Sequence, residues 1–364
     1  MIRIGVIGAG DVAVRDYFPA AALRLGAAAS IVAVASSNGV RARHLAGLYD
    51  IPHAYAGFDT ILADSSIDVI VNLTPTSMHN VINRATVAAG KHLYTEKPAA
   101  LTADRIRALA AAAQRAGVTV AAAPSVIVFP QVERARALVQ AETIGQVWTA
   151  TGQFIGGIPP WAGYESDPAP FFSSAVGPLV DVGIYPLHAL TGLLGPVRRV
   201  TAMSHRSRDS FVQLDGLAAG NKVNVDVDDV WHLIVQLDSG AIATVRSDFA
   251  SHGATSAAEV ELNGETGSIC LSLMDMAAPL RIQLNGDDAF REESFPNART
   301  EGPDHMLGVV HLVECLTYGR KLALSLDHAA HVVDVLEAAA RSATTGRTEE
   351  IASSFDPPRM QGAI

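Results

Sequence analysis

Ile2–Ile7 opens the chain as an apolar run carrying a single charge, and similar short runs recur at residues 31–35, 69–73, 92–95 and 118–121. Runs of this length, bounded by polar residues or glycine, read as buried strands. Helical stretches lie between them near residues 40–48, 80–89 and 102–116. Gly90 and Gly117 stand just past two of these, where C-cap glycines belong. Pro19 falls inside the helical stretch after the first run and predicts a break or kink there. Strands alternating with helices predict a parallel sheet covered on both faces.

After about residue 124 the pattern turns to alternation. Trp231, Leu233, Val235 and Leu237 share one face, Asp238-Ser239-Gly240 makes a turn, and residues 241–246 return. Further runs at 147–154, 197–203, 259–263, 268–272 and 281–284 predict an antiparallel sheet. One helix is expected within it from about residue 179 to 194, ended by Gly195-Pro196, and a closing helix from about 328 to 344. The predicted architecture is an α/β domain over residues 1–124 and an α+β domain over 125–364.

The length of 364 residues suits two domains, and a hydrophobic content of 49% supplies their cores. A net charge of -10 repels phosphate backbones and anionic lipid, so neither nucleic acid nor membrane is an expected partner. Arg41 and Arg43 form only a small basic group. The most apolar stretch, residues 19–35, is short for a bilayer and interrupted by Arg24. The first residues lack the features of a signal peptide, so a cytoplasmic location is expected. Cys270 and Cys315 form neither a disulfide framework nor a zinc motif and are expected in the core. Residues 355–364, polar and proline-containing, read as a disordered tail.

Gly8-Ala9-Gly10-Asp11-Val12-Ala13 follows the first strand and opens a helix. Gly8 permits the tight turn, and Gly10 lets a pyrophosphate approach backbone N–H groups at a helix N-terminus. This context makes the first domain a dinucleotide-binding Rossmann domain. The second strand ends at Ser36-Ser37-Asn38, without the carboxylate that usually holds an NAD ribose. Small polar side chains followed by Arg41 suit the 2′-phosphate of NADP, so NADP is favoured and NAD is the alternative.

Three more segments accompany that loop. Leu73-Thr74-Pro75, then His79, follows the third predicted strand, and Thr95-Glu96-Lys97-Pro98 follows the fourth. Gly177-Pro178-Leu179-Val180-Asp181-Val182-Gly183-Ile184-Tyr185-Pro186-Leu187-His188 begins the second domain's helix. Together they resemble the glucose-fructose oxidoreductase/inositol dehydrogenase family, Gfo/Idh/MocA, over nearly the whole chain. The resemblance implies an open-faced second sheet, an active site between the domains, and hydride transfer at a sugar, inositol or polyol carbon. It also implies a homodimer or homotetramer formed through that sheet. Two departures stand out. Residues 124–130 lack an arginine common in the family, and Tyr185 stands where the inositol dehydrogenase branch carries histidine.

Alcohol oxidation needs a base for the hydroxyl proton and a group that stabilises the developing alkoxide. Lys97 follows a strand C-terminus, where ligands of doubly wound sheets bind, and is the alkoxide-stabilising candidate. Glu96 is expected to orient it or to touch the cofactor. Asp181, Tyr185 and His188, spaced i, i+4, i+7, are expected on one helix face. Tyr185 is assigned proton transfer by resemblance, His188 is second choice, and Asp181 is the orienting group. Thr74, Pro75 and His79 join the cofactor side, His79 being expected to cap the helix after the third strand. Trp161 and Tyr164, in a Gly/Pro-rich loop, are candidate sugar contacts. His328 and His331 share a helix face without a partnered ligand motif, so no metal is assigned. Competing functions are a retained-cofactor enzyme (an oxidation-elimination glycosidase or a coupled sugar oxidoreductase) and a non-catalytic cofactor or sugar sensor.

Overall fold

The structure, a computed structural model, describes residues 1–161, 165, 167–173, 176–214, 216, 219–251, 259–293 and 303–359. The chain divides into two compact units, one of Met1–Ser125 with Asp304–Ala330, the other of Val126–Pro303 with His331–Ile364.

The first unit is built on β1 (Ile2–Ile7), β2 (Ala29–Ser36), β3 (His53–Ala56), β4 (Val69–Asn72), β5 (His92–Thr95) and β6 (Val120–Ala122), in the order β3-β2-β1-β4-β5-β6. All its pairings are parallel. The strand order reverses between β1 and β4, the switch point where such sheets bind ligands. Crossovers run through α1 (Phe18–Leu25), α2 (Gly39–Leu48), α3 (Phe58–Ala63), α4 (Thr76–Ala88) and α5 (Ala103–Ala116). The break expected at Pro19 takes the form of a π-helical turn over Ala13–Tyr17, just before α1. Proline offers no N–H to the carbonyl four residues back, and Phe18 N–H reaches five residues back to Ala13 O.

The second unit carries α6 (Pro130–Gln140), β7 (Val147–Ile155), α7 (Gly177–Asp181), α8 (Ile184–Leu194), β8 (Val197–His205), β9 (Ser210–Val212), β10 (Lys222–Asn224), β11 (Val230–Leu237), β12 (Ile242–Asp248), β13 (Val260–Gly264), β14 (Gly267–Leu271), β15 (Leu280–Leu284) and β16 (Arg291–Glu293). Then come α9 (Met306–Tyr318) in the first unit, α10 (Leu326–Thr345), whose residues up to Ala330 count with the first unit and the rest with the second, and β17 (Glu349–Glu350) in the second. Nine strands form one sheet, β16-β15-β14-β13-β7-β12-β11-β8-β17, antiparallel except for the β7–β12 pair. Its inner face packs on α8, and a Cβ at Gly152 of β7 would lie 2.8 Å from Leu190 and 2.9 Å from Pro186. Alternation does the rest. In β11, Leu233, Val235 and Leu237 are buried, while His232 and Ile234 face outward. Ile234 stands directly between Thr201 of β8 and Thr244 of β12, with Ile242, Met203 and Trp148 also exposed among the sheet's residues.

Several expectations change. The helix expected over 179–194 is two, because it breaks after Asp181 and restarts at Ile184. A Cβ at Gly183, in that break, would lie 2.7 Å from Leu179 O and 2.9 Å from Ser247 Oγ, so only glycine fits. Helices α6 and α9 were not expected, nor was the edge strand β3. The expected tail is ordered at its start: Phe355 is buried and packs 5.3 Å from the His331 ring. Residues 360–364 lie outside the described residues. Both cysteines are buried and free, and burial pushes each thiol up to about 11.

Candidate active site

The glycine loop is shaped by what it touches. Gly8 has φ +115°, and a Cβ there would sit 2.5 Å from Leu73 O, so the loop after β1 packs directly on the loop after β4. The Cβ direction of Gly10 is open, with nothing within 4 Å. That opening faces out beside Asp11 and Val12, which begin the helix, and it is the room a pyrophosphate needs. A dinucleotide therefore fits these residues.

At the end of β2, Ser37 and Asn38 are exposed and Ser36 is half-buried. Asn38 Oδ1 caps α2 by accepting the N–H groups of Val40 at 3.0 Å and Arg41 at 3.3 Å. Arg41 extends toward the glycine loop, its guanidinium 3.8 Å from Asp11 Oδ1. One cation thus stands between the end of β2 and the glycine loop.

The loops after β4 and β5 are tied to each other through α4. Buried Asn72 accepts from Thr74 N at 3.2 Å and Thr74 Oγ1 at 2.7 Å, and donates to Asn83 Oδ1 at 2.8 Å. Asn83 in turn donates to Thr95 Oγ1 and Ala99 O, both at 2.9 Å. His79 does not cap α4. Its ring is buried between two carbonyls, Nε2 at 2.7 Å from Thr74 O and Nδ1 at 2.8 Å from Pro98 O. Burial pushes its pKa down. Lys97 is half-buried in the turn these bonds hold, and its backbone N–H donates to Glu96 Oε2 at 2.8 Å. Glu96 is buried, and its other carboxylate oxygen accepts the Tyr17 hydroxyl at 2.5 Å.

In the second unit, Asp181 ends α7 and Tyr185 begins the first turn of α8, each half-buried. The Tyr185 ring stacks on Phe154 of β7 at 5.7 Å and 27°. His188 is buried, donates Nδ1–H to Ile184 O at 3.0 Å, and is pushed down to about 4 by burial. The break at Gly183 means that the three do not share one helix. Trp161 lies in an aromatic cluster, 5.4 Å from Phe171 and 5.8 Å from Phe249. Tyr164 lies outside the described residues. His331 accepts Val197 N–H and meets Ser353, and no group of metal-binding side chains occurs among the described residues.

Two family profiles match the chain: an oxidoreductase family with NAD-binding Rossmann fold over residues 2–123, and the GFO/IDH/MocA C-terminal domain over residues 132–270. The chain belongs to the Gfo/Idh/MocA oxidoreductases. A relative within reach of this family is D-xylose 1-dehydrogenase (NADP(+)) 2 of Haloferax volcanii, 32% identical over 249 residues, covering 68% of this chain and 70% of the relative. Trans-1,2-dihydrobenzene-1,2-diol dehydrogenase of Sus scrofa is 25% identical over 92% of this chain and 95% of its own. Among solved structures, levoglucosan dehydrogenase in complex with NADH and levoglucosan shares the fold, with TM-score 0.80 and 20% identity over 97% of this chain and 99% of that one. As a Gfo/Idh/MocA protein the chain binds a nicotinamide dinucleotide. No described helix is long and apolar enough to cross a membrane.

Sequence reasoning missed Tyr17, Asn72, Asn83 and Phe154. Asn72 had a signal, a polar residue ending an otherwise apolar strand. For Tyr17 the only signal was Pro19, which announced a break nearby but not the side chain that the π turn would turn inward.

Proposed function

We propose that this Gfo/Idh/MocA protein is an NAD(P)-dependent dehydrogenase or reductase acting on a secondary alcohol or ketone carbon of a sugar, inositol or polyol. The observation that carries the reading is the Lys97 turn. A half-buried lysine stands just past the C-terminal end of β5; its backbone N–H is held by Glu96, and the carbonyls of the next two residues, Pro98 and Ala99, are held by His79 and Asn83 from α4. Such fixation suits a side chain that must meet a reacting oxygen in one geometry. The names of the xylose and diol dehydrogenase relatives support the substrate class.

The nicotinamide supplies the hydride acceptor or donor. Lys97 hydrogen-bonds the reacting oxygen and stabilises alkoxide charge. Tyr185 transfers the proton, in preference to His188, whose Nδ1 is committed to its own helix. Asp181 orients a substrate hydroxyl. Gly8, Gly10, Asp11 and Val12 form the pyrophosphate loop, and Thr74 and Pro75 line the cofactor side. Ser36, Ser37 and Arg41 receive the adenosine ribose, with NADP preferred, as one relative's name also suggests. The exposed face around Ile234 is the self-association surface. The test is a panel of sugars, inositols and polyols assayed with NADP and NAD by reduced-nicotinamide absorbance, with Lys97→Ala beside the native chain. Turnover that disappears in the variant supports the reading. Turnover that survives unchanged in it contradicts the role of Lys97.

A further inference from the structure

A buried polar cluster lies behind the Glu-Lys-Pro turn. Glu96 Oε2 accepts the Lys97 backbone N–H at 2.8 Å, and Oε1 accepts the Tyr17 hydroxyl at 2.5 Å. The same hydroxyl lies 3.2 Å from that of Tyr94. The His305 ring stacks on Tyr17 with centroids 6.3 Å apart and planes 22° from parallel. Helix α9 closes the cluster so tightly that a Cβ at Gly308 would lie 2.6 Å from the Tyr94 hydroxyl. All these residues belong to the first unit.

Tyr17 is the last residue of the π-helical turn, in the helix that opens at the glycine loop. Two links therefore join that loop's helix to the catalytic turn: Tyr17 hydroxyl to Glu96, and Glu96 to the Lys97 backbone. Wide turns of this kind recur at functional sites because they shift one side chain out of regular helical register.

We propose that Tyr17 is a positioning residue, whose hydroxyl fixes the Glu96 carboxylate and through it the backbone of Lys97. This rests on the reading above, in which Lys97 touches the reacting oxygen. An ionised carboxylate only accepts hydrogen bonds, and Tyr17 and the Lys97 N–H supply one to each oxygen. The charged or titratable groups facing Glu96 are Tyr17 from the helix after β1, Tyr94 from β5, Lys97 from its own turn, His79 from α4 and His305 from α9. Burial raises the Glu96 pKa, but His305, Lys97 and the Tyr17 bond together outweigh burial and hold it below the ordinary value. Without the hydroxyl, a buried carboxylate loses a donor and takes up a proton more readily.

Tyr17→Phe keeps the ring and removes only that bond. Two readings are taken, one free of cofactor and substrate. In the cofactor-free protein, hydrogen exchange of the amides in residues 96–100 should speed by about tenfold or more, with peptides from α5 and β6 unchanged. In turnover with the best substrate of the panel, kcat should fall about tenfold with cofactor KM little changed, and the acid limb of its pH profile should move to higher pH. If Tyr17→Phe does not fold, Glu96→Gln, which copies the uncharged carboxyl in shape, should show the same local exchange. Exchange at 96–100 like that of the native chain, or a kcat loss equal at every pH, overturns the proposal. An unimpaired Lys97→Ala removes the role of Lys97 on which the proposal rests. An inactive Lys97→Ala beside a native-like Tyr17→Phe overturns the Tyr17 proposal alone.

Discussion

A Cβ on Gly8 would lie 2.5 Å from the carbonyl oxygen of Leu73, so the two loops meet backbone to backbone. Gly10, two residues on, faces open space. The two glycines should therefore fail differently. Gly8→Ala forces both a positive φ and a clash, and should cost on the order of 1–3 kcal/mol in the cofactor-free protein. Gly10→Ala should leave cofactor-free stability nearly unchanged and weaken dinucleotide binding, because its Cβ enters the space left for the pyrophosphate. Thermal melts without cofactor and fluorescence titration with NADPH separate the two.

Buried histidines make the fold acid-sensitive. His331 accepts Val197 N–H through Nε2 at 2.9 Å and donates Nδ1–H to Ser353 O at 3.1 Å, a pattern that needs a neutral ring. Burial lowers the pKa of His331, and that of His188 to about 4. A lowered histidine pKa means that the unfolded chain binds the proton first, below about pH 6.5. Stability is thus full above that value and falls as pH drops toward the folded pKa. For His188 the loss reaches roughly 3 kcal/mol by pH 4, at about 1.4 kcal/mol per pH unit. Urea midpoints measured from pH 8 to pH 4.5 should decline, and His331→Gln should flatten part of the slope. A flat native profile contradicts this assignment.

Arg41 should decide cofactor preference. Its partner Asp11 is 3.8 Å away across a surface pair, an interaction of little strength, so the guanidinium is available to a 2′-phosphate. Arg41→Ala should weaken NADP about 10- to 100-fold, as loss of a charge-assisted bond does, and leave NAD within about threefold. Calorimetric titration with both dinucleotides reads the ratio directly, and an unchanged ratio removes Arg41 from the ribose site.

On the outer sheet face, Ile234 sits between Thr201 and Thr244. A carboxylate there should lower self-association without unfolding the chain. Light scattering of Ile234→Glu should show a smaller species than the native protein, at an unchanged melting temperature. Equal masses would move the association surface elsewhere.

Much of this was legible in the sequence because both sheets obey simple periods. Strands β1, β4 and β5 are short, mostly apolar runs, and β11 alternates. What escaped detection did so for identifiable reasons. Strand β3 is four residues, half-exposed, at a sheet edge, and carries no period. Helix α6 buries Gln131 and Arg136 on its core face, Arg136 donating to Ile127 O at 2.5 Å, so its apolar stripe is interrupted where it should be plainest. Helix α9 shows apolar spacing, but its place beside β5 and β6, roughly two hundred positions earlier, is a tertiary fact that local pattern does not contain. At the site, residue types were readable from the Glu-Lys-Pro and glycine motifs. The break at Gly183 was not, since it depends on the close approach of Ser247 of β12, and neither was the burial of His188, which local pattern does not contain.

Direct hydride transfer governed by Lys97 is the step on which the proposed function turns. The measurement that tests it is deuterium tracing: a panel sugar labelled at its carbinol carbon is incubated with NADP, and the reduced cofactor is analysed by mass spectrometry. One deuterium is expected in each reduced nicotinamide, with none formed by Lys97→Ala. Reduced cofactor without deuterium, or labelled cofactor formed equally well by Lys97→Ala, would contradict it.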